Sequence, residues 1–418
     1  MPRDHAYPPD LARFVEARWP RELAPLRVSS RALDEALSAA FQASLTTEET
    51  RPTRFRMLLM PAGDLPEGGV PNEGVLRLRF EHRRALHEDE LRRLAPAAPF
   101  ETSLIGVQED GDGKLSIWGV AHSGPAWLAP TWGGRSPVPN WTYDPIVHVT
   151  APGKVAVRSA GRLVGALERG VVVDATVDVF ESSWLPAMFK EERELIRAEH
   201  AATQAGSLAP TSVDHSLVGR VSQHMLRRAI QLIRGARHGG MLLVVDGPRD
   251  ALPRGLRLKY RVEQDEPSHR YRSIQLAIFE TLATGTTNPS VGWDDFVSSS
   301  HPRLEQLEQQ VFELSRAIAN LAAIDGAVLL DKRFGVLGFG AEVSAELPPP
   351  ERVLRALDTN GDVRVPDDIE KVGTRHRAAY RFVNDHPSAL AIVVSQDGGV
   401  SFVAKQGEVV VWEQSVSP

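Results

Sequence analysis

Apolar positions along this chain follow two spacings, and the switches between them outline its elements. In "HPRLEQLEQQVFELSRAIANLAAI", Leu304, Leu307, Val311, Leu314, Ile318 and Leu321 recur three and four apart, which predicts a helix with one buried face. "DGAVLLD" follows at once and reads as a strand opened by Asp325-Gly326. Upstream, Val218, Val221, Met225, Ala229 and Leu232 line another helical face, "HGG" breaks that helix, and "MLLVV" suits a buried strand. The tail "SALAIVVSQDGGVSFVAKQGEVVVWEQ" predicts three strands with turns at "QDGG" and "KQGE". Between the "DGA" strand and that tail lies a polar insertion, 341–371, expected to act as a lid or an oligomer contact.

The first 180 or so residues differ. "PDLARFVEARW" and "SSRALDEALSAAFQASL" have helical spacing, with Ser29 or Ser30 as N-cap. Strand candidates "RFRMLLM", "GVLRLRF" and "KLSIWGVAH" come next, then "APGKVAVRSAGRLVGALERGVVVDATVDVF" as several strands joined by Gly turns. A charged helix at about 185–206 and "SLAPTSVDHS" read as a connection. The expected organisation is α/β of the α+β kind: an N-terminal domain 1–182, a helical linker 183–214, and a domain 215–418 whose mixed sheet is packed by helices.

A chain of 418 residues suits two or three domains. Its 42% hydrophobic and 24% charged residues are the proportions of a globular protein. The net charge of -6 argues against a general polyanion surface, so no nucleic-acid partner is expected, but it leaves room for a local phosphate site. With no cysteine there is no disulfide, thiol catalysis or Cys-ligated metal. The start "MPRDHAYPPDLARFVEARWP" has no apolar core of a secretory signal, and no run reaches the 18 or so apolar residues a membrane helix needs. A cytoplasmic location is the expectation.

Against that acidic background, "GTRHRAAYRF" stands out. Gly373 and Thr374 sit where a loop enters a helix that Ala378, Ala379, Tyr380 and Val383 continue. Cations in a first turn oppose the helix dipole, so Arg375 and Arg377 there need a reason. Free N–H groups, the Thr374 hydroxyl and two guanidinium forks would bind phosphate, while His376 points elsewhere to pack or hydrogen-bond; the bland reading is a solvated basic turn. Asp325 lies at an element end, where a carboxylate can hold a divalent cation or orient a hydroxyl, and Gly326 would admit a ligand near the backbone; alone, Asp-Gly is only a turn. Ser395, with Gln396 and Asp397, ends an apolar strand and alone is an ordinary hairpin turn. "DTNGD" has the look of a calcium loop, but Val363 and Ile369 stand where the glycine and the bidentate glutamate belong, which excludes an EF-hand. Trp118, Trp127, Trp132 and Trp141 cluster with Gly and Pro, as a ligand pocket or, on the reading favoured here, as a cap on a core.

Taken in order, "DGA", "GTRHRAA" and "VVSQ" closely resemble the diadenylate cyclase domain of the DNA-integrity scanning protein and of membrane-bound and soluble cyclic di-AMP synthases. The resemblance covers about residues 215–418 and is strongest from Leu321 onward. It implies a mixed sheet wrapped by helices that condenses two ATP into cyclic di-AMP and pyrophosphate. On that pattern Asp325, Gly326 and Ala327 lie near the ribose and an Mg²⁺ or Mn²⁺ ion. Gly373, Thr374, Arg375, His376 and Arg377 cradle the triphosphate and Ser395 contacts its end, while the family's metal-ligating glutamate is either replaced by Asp397 or lost. Asp325, Arg375 and Arg377 are the catalytic set. One domain holds one ATP, so turnover implies at least a face-to-face dimer.

Several features depart from the family. Many members have Ser-Glu-Glu where this chain has Ser395-Gln396-Asp397, although the scanning protein also has Ser-Gln. The insertions at 341–371 and at "DALPRGLRLKYRVEQDEPSHRYRSIQLAIFE" are long. No membrane anchor and no DNA-binding extension are expected. The architecture is similar to bacterial proteins that place a sensory domain, for an unknown small-molecule or protein signal, before the cyclase domain. A fold that binds ATP or cyclic di-AMP without turnover is the rival reading.

Overall fold

The computed structural model of the chain describes residues 5–20, 25–48, 50–65, 75–100, 102–123, 134–135, 143–159, 162–168, 170–173, 177–205, 210–246, 252–263, 266–284 (266–268 as backbone) and 286–414. Two compact units result: Met1–Thr131 with Ser136–Ala175 and the last two residues, and Trp132–Arg135 with Thr176–Val416.

In the first unit, helices α1 (Pro8–Arg18) and α2 (Ser30–Ser44) precede a sheet of eight strands. The strands are β1 (Phe55–Leu59), β2 (Leu76–Ala85), β3 (Ser103–Glu109), β4 (Leu115–His122), β5 (Ile146–Ala151), β6 (Lys154–Ser159), β7 (Arg162–Glu168) and β8 (Val171–Val173), with α3 (Glu88–Leu94) after β2. Their order is β8-β7-β6-β5-β1-β3-β4-β2, antiparallel except for β1 and β3. Ser29 is the N-cap of α2, its hydroxyl accepting from the Ala32 N–H at 3.2 Å. Leu33, Ala36, Leu37 and Ala40 of α2 join Leu11 and Val15 of α1 against Phe55, Met57, Val147 and Val157. Trp118 is buried, its indole N–H donating to the Met60 carbonyl at 2.8 Å, a core role as favoured. Trp127, Trp132 and Trp141 lie outside the described residues.

The long run of the second unit starts at Thr176, so residues 183–214 belong to that unit rather than joining two. Within 183–214, α4 (Trp184–Met188) and α5 (Lys190–Thr203) place Leu185, Phe189 and Ile196 in its main core. Then come α6 (His215–Ala236), β9 (Gly240–Val245), β10 (Leu256–Arg261), α7 (Glu266–Thr284), α8 (Trp293–Ser298), α9 (Pro302–Leu321), β11 (Ala327–Asp331), β12 (Val336–Val343), β13 (Val353–Ala356), β14 (Arg364–Pro366), α10 (Thr374–Asp385), β15 (Leu390–Val394), β16 (Val400–Gln406) and β17 (Glu408–Glu413). The nine-stranded mixed sheet runs β10-β12-β11-β9-β15-β16-β17-β13-β14.

Its central strands read as unbroken apolar runs because both faces are covered. Leu242, Val244, Val328, Leu330, Ile392 and Phe402 pack against α6, α7 and α9. The alternate residues Met241, Leu243, Ala327, Leu329, Ala391 and Val393 pack against Tyr380, Phe382 and Val383 of α10. The "DALPRGLRL…" insertion supplies β10 and the core residues Tyr271, Ile274 and Phe279 of α7.

The segment 341–371 corrects the lid expectation. It contributes β13 and β14, extending the sheet by parallel pairing of β13 with β17, with Val353 and Ala356 buried. Its short strands and Gly and Asp turns mask the period-2 signal. In "DTNGD" the Asp358 carboxylate accepts from the N–H groups of Asp362 at 2.8 Å and Val363 at 3.2 Å, closing a turn.

Candidate functional site

Strand register brings the three motifs to one end of the central sheet. β9 pairs in parallel with β11, Leu242 opposite Val328, so Gly240 is level with Gly326. β9 also pairs antiparallel with β15, Gly240 opposite Val394. Asp325-Gly326, Gly239-Gly240 and Val394-Ser395 are therefore ends of three adjacent strands. The end of α9 seals the group on one side, since a Cβ on Gly240 would come within 3.1 Å of the Ala322 methyl.

α10 enters from the other face. Gly373 is its N-cap, without a side-chain cap, and a Cβ there would meet nothing within 4 Å. The helix thus starts facing open space, with Thr374 exposed, Arg375, His376 and Arg377 half-buried, and no acid in its first turn. Uncapped N–H groups, a positive dipole end and the Arg375 guanidinium are the features an anion would use there.

Arg375 makes the link between α10 and the strand ends. Its Nη1 lies 2.9 Å from where a Cβ on Gly239 would stand, beside the Val394 carbonyl at 2.9 Å and the Gln396 N–H at 3.4 Å from the same point. Gly239 has φ +67°, so this position requires glycine for its backbone as well. The sequence reading took Gly239 only as a helix breaker; the doubled glycine of "HGG" was the available signal. α6 itself ends on Arg237, which adopts the left-handed conformation with φ 56°, while His238 Nδ1 hydrogen-bonds the Gly239 carbonyl rather than capping the helix.

His376 turns inward. Its Nε2 hydrogen-bonds the Ser401 hydroxyl of β16 at 3.1 Å, and burial lowers its pKa, opposed by the charges of Asp367 and Asp397. This is the packing role that residue chemistry allowed, and it orients the first turn of α10. Tyr380, one turn on, is buried and reaches Asp367 at 3.5 Å.

The strand-end residues are placed less uniformly. Asp325 is exposed, and Ala327 is buried as the first residue of β11. Gly326 has φ +111°, and a Cβ on it would fall 2.7 Å from the Gly340 carbonyl carbon and 2.8 Å from the Ala341 oxygen. Its glycine requirement therefore comes from β12, not from an approaching ligand. The Ser395 hydroxyl lies against the Asp397 carboxylate and the Gly399 carbonyl, and Asp397 accepts the Gly399 N–H at 3.2 Å. Ser395 and Asp397 are thus tied together inside the β15–β16 turn, against which Arg234 of α6 also donates to the Gly398 carbonyl at 2.9 Å. Among the described residues no group of three or more His, Asp or Glu side chains could hold a metal ion by itself.

Comparison with known proteins bears on the first unit. Residues 22–122 match the family model described as "Probable sensor domain DACNV", so that unit carries a probable sensor domain. No curated protein matches the chain. A solved structure described as the hypothetical membrane spanning protein from Bacillus cereus is 15% identical and covers 58% of this chain and 100% of that one, at a TM-score of 0.24, too low to support an argument. No helix among the described residues is long and apolar enough to cross a membrane.

Proposed function

We propose that the second unit is a diadenylate cyclase governed by the probable sensor domain that precedes it. One observation carries the reading: Arg375, on the open first turn of α10, lies against Gly239 beside the Val394–Gln396 strand end, one strand from Asp325. A phosphate group and a carboxylate-held hydroxyl are thereby offered neighbouring positions.

In this reading Arg375, Arg377 and the α10 N-terminus bind the triphosphate, and Asp325 receives the proton of the ribose 3′-hydroxyl. That oxygen attacks the α-phosphorus of an ATP held by a facing domain. The new ester P–O bond forms as the bond to the β-phosphate oxygen breaks, and pyrophosphate leaves with the charge the arginines neutralise. Repeated in the other direction, the step closes the ring, which is why at least a face-to-face dimer is required. Asp325 would suit Mg²⁺ or Mn²⁺ arriving on the triphosphate, and Asp397 would join it only on leaving Ser395; such an ion takes few protein ligands and would neutralise phosphate charge.

A second reading draws on the Ser395–Asp397 contact, which occupies both groups, and on Gln396 in place of an acid. There the same fold binds ATP or cyclic di-AMP without turnover. Incubation with ATP and Mg²⁺ or Mn²⁺, followed by chromatography, separates the two. Cyclic di-AMP that vanishes in Asp325→Asn and Arg375→Ala supports the cyclase. ATP binding without product, at every metal and with candidate signals for the sensor domain supplied, supports the second, and no nucleotide binding overturns both.

A further inference from the structure

The opposite end of the same sheet has a different character. β9 and β11 run parallel, so their carboxyl ends lie together, Val245 opposite Asp331. Ligands of open α/β sheets favour the crevice outside such ends. A cavity of about 410 Å³ lies there, reaching from Asp246 and Lys332 to Trp184, Met188 and Lys190 at the α4–α5 junction and to Lys405 at the end of β16. Its size falls within the roughly 300–1,000 Å³ of small-molecule pockets.

Of the ionisable groups that line it, Lys190, Lys332 and Lys405 face Glu191, Glu192 and Asp246, and the pairing among them is uneven. Lys332 is matched to Asp246 at 2.7 Å, and Glu192 to Arg333 at 2.8 Å. Lys405 is half-buried and donates only to neutral acceptors, the Asn384 carbonyl at 2.9 Å and its Oδ1 at 3.1 Å, with no carboxylate partner among the described residues. Lys190 is exposed and also lacks one among them, leaving Glu191 as the lining acid outside an ion pair. A half-buried ammonium satisfied by neutral groups still favours an anion. Trp184 supplies a rigid flat wall. It stacks on Trp412 at 4.2 Å and 28°, and its N–H donates to the Thr359 carbonyl at 3.2 Å.

We infer that this cavity is a second small-molecule site, for a phosphate or carboxylate joined to a flat ring. The anion would sit between Lys405 and Lys190 and the ring along Trp184. This inference does not depend on the function proposed for the other end of the sheet.

Calorimetric titration of the full chain with phenyl phosphate and, separately, with indole-3-acetate tests it, and the pair shows which anion is taken. Saturable binding of at least one probe is expected, weakened about tenfold or more by Lys405→Met and by Lys190→Glu. Lys190 is exposed, so its variant decides the matter should Lys405→Met fail to fold. Absence of saturable binding by both probes, binding lost only in Arg375→Ala, or binding indifferent to the folded lysine variants would overturn the assignment.

Discussion

The two ends of the second unit's sheet are built from the same strands and use opposite means. At one end, Asp325, Arg375 and Ser395, which motifs announce, come from three places in the chain and gather around Gly239 in an open arrangement. At the other, Lys190, Lys332, Lys405 and Trp184 line a cavity that no motif announces. Short sequence signatures report positions where backbone and charge must cooperate at a turn. A cavity arises from how helices α4 and α5 meet strand ends far away in sequence, and leaves no local pattern.

The sharpest break of this comparison is at Gly326. Alanine there would force a Cβ into β12 and hold a φ of +111° that L residues rarely adopt, so Gly326→Ala should cost about 3–4 kcal/mol in urea unfolding. If unfolding is unchanged, the β11–β12 contact is not what requires glycine. Next, Arg375→Ala should weaken ATP binding about 30-fold, roughly 2 kcal/mol, while Lys405→Met leaves it alone, as read by equilibrium dialysis. Equal losses in the two variants would erase the distinction between the ends. A smaller effect is expected of Ser401→Ala, which removes the His376 hydrogen bond: about 1 kcal/mol of stability, with ATP affinity reduced through the orientation of α10. A stability loss with unchanged affinity would make that bond purely structural.

The smallest effect contrasts the units by pH. His148 in the first unit is buried, and burial first, then the Arg158 and Arg56 charges, hold its pKa well below the usual value. The folded chain keeps it neutral while the unfolded chain binds a proton below about pH 6.5, so stability falls as pH drops through that value and is unaffected above it. Hydrogen exchange at the β5 amides should accelerate from about pH 7 to 5 beyond the intrinsic pH trend, and less so in His148→Gln. Equal acceleration in both proteins would assign the acid sensitivity elsewhere.

Much of the architecture was legible because periodicity depends on burial. The helix at 302–321, the strand at 327–331 and the three-stranded tail all appear where their spacing placed them. The helices read as a linker were misassigned because "LPAMFKEERELIRAEHAATQAG" is strongly charged, and only packing reveals that Phe189 and Ile196 face a core. In the candidate site, residue types and order were legible; the inward turn of His376 was one of two readings, the other placing it in the triphosphate cradle. The tying of Ser395 to Asp397 was not, since a Ser-x-Asp pair reads alike whether it faces a ligand or its own turn.

By itself, then, the sequence determined the alternation of helix and strand, the absence of thiol chemistry, and a basic helix start in an acidic chain. Tertiary structure alone decided that Gly240 stands level with both Gly326 and Val394, which gathers three distant motifs at one sheet end. It also decided that Gly326 serves β12, and that a cavity opens at the far end. The physical reason is common to all three: local propensity and patterning act within a few residues, whereas strand register and helix docking are fixed by burying both faces of a sheet at once.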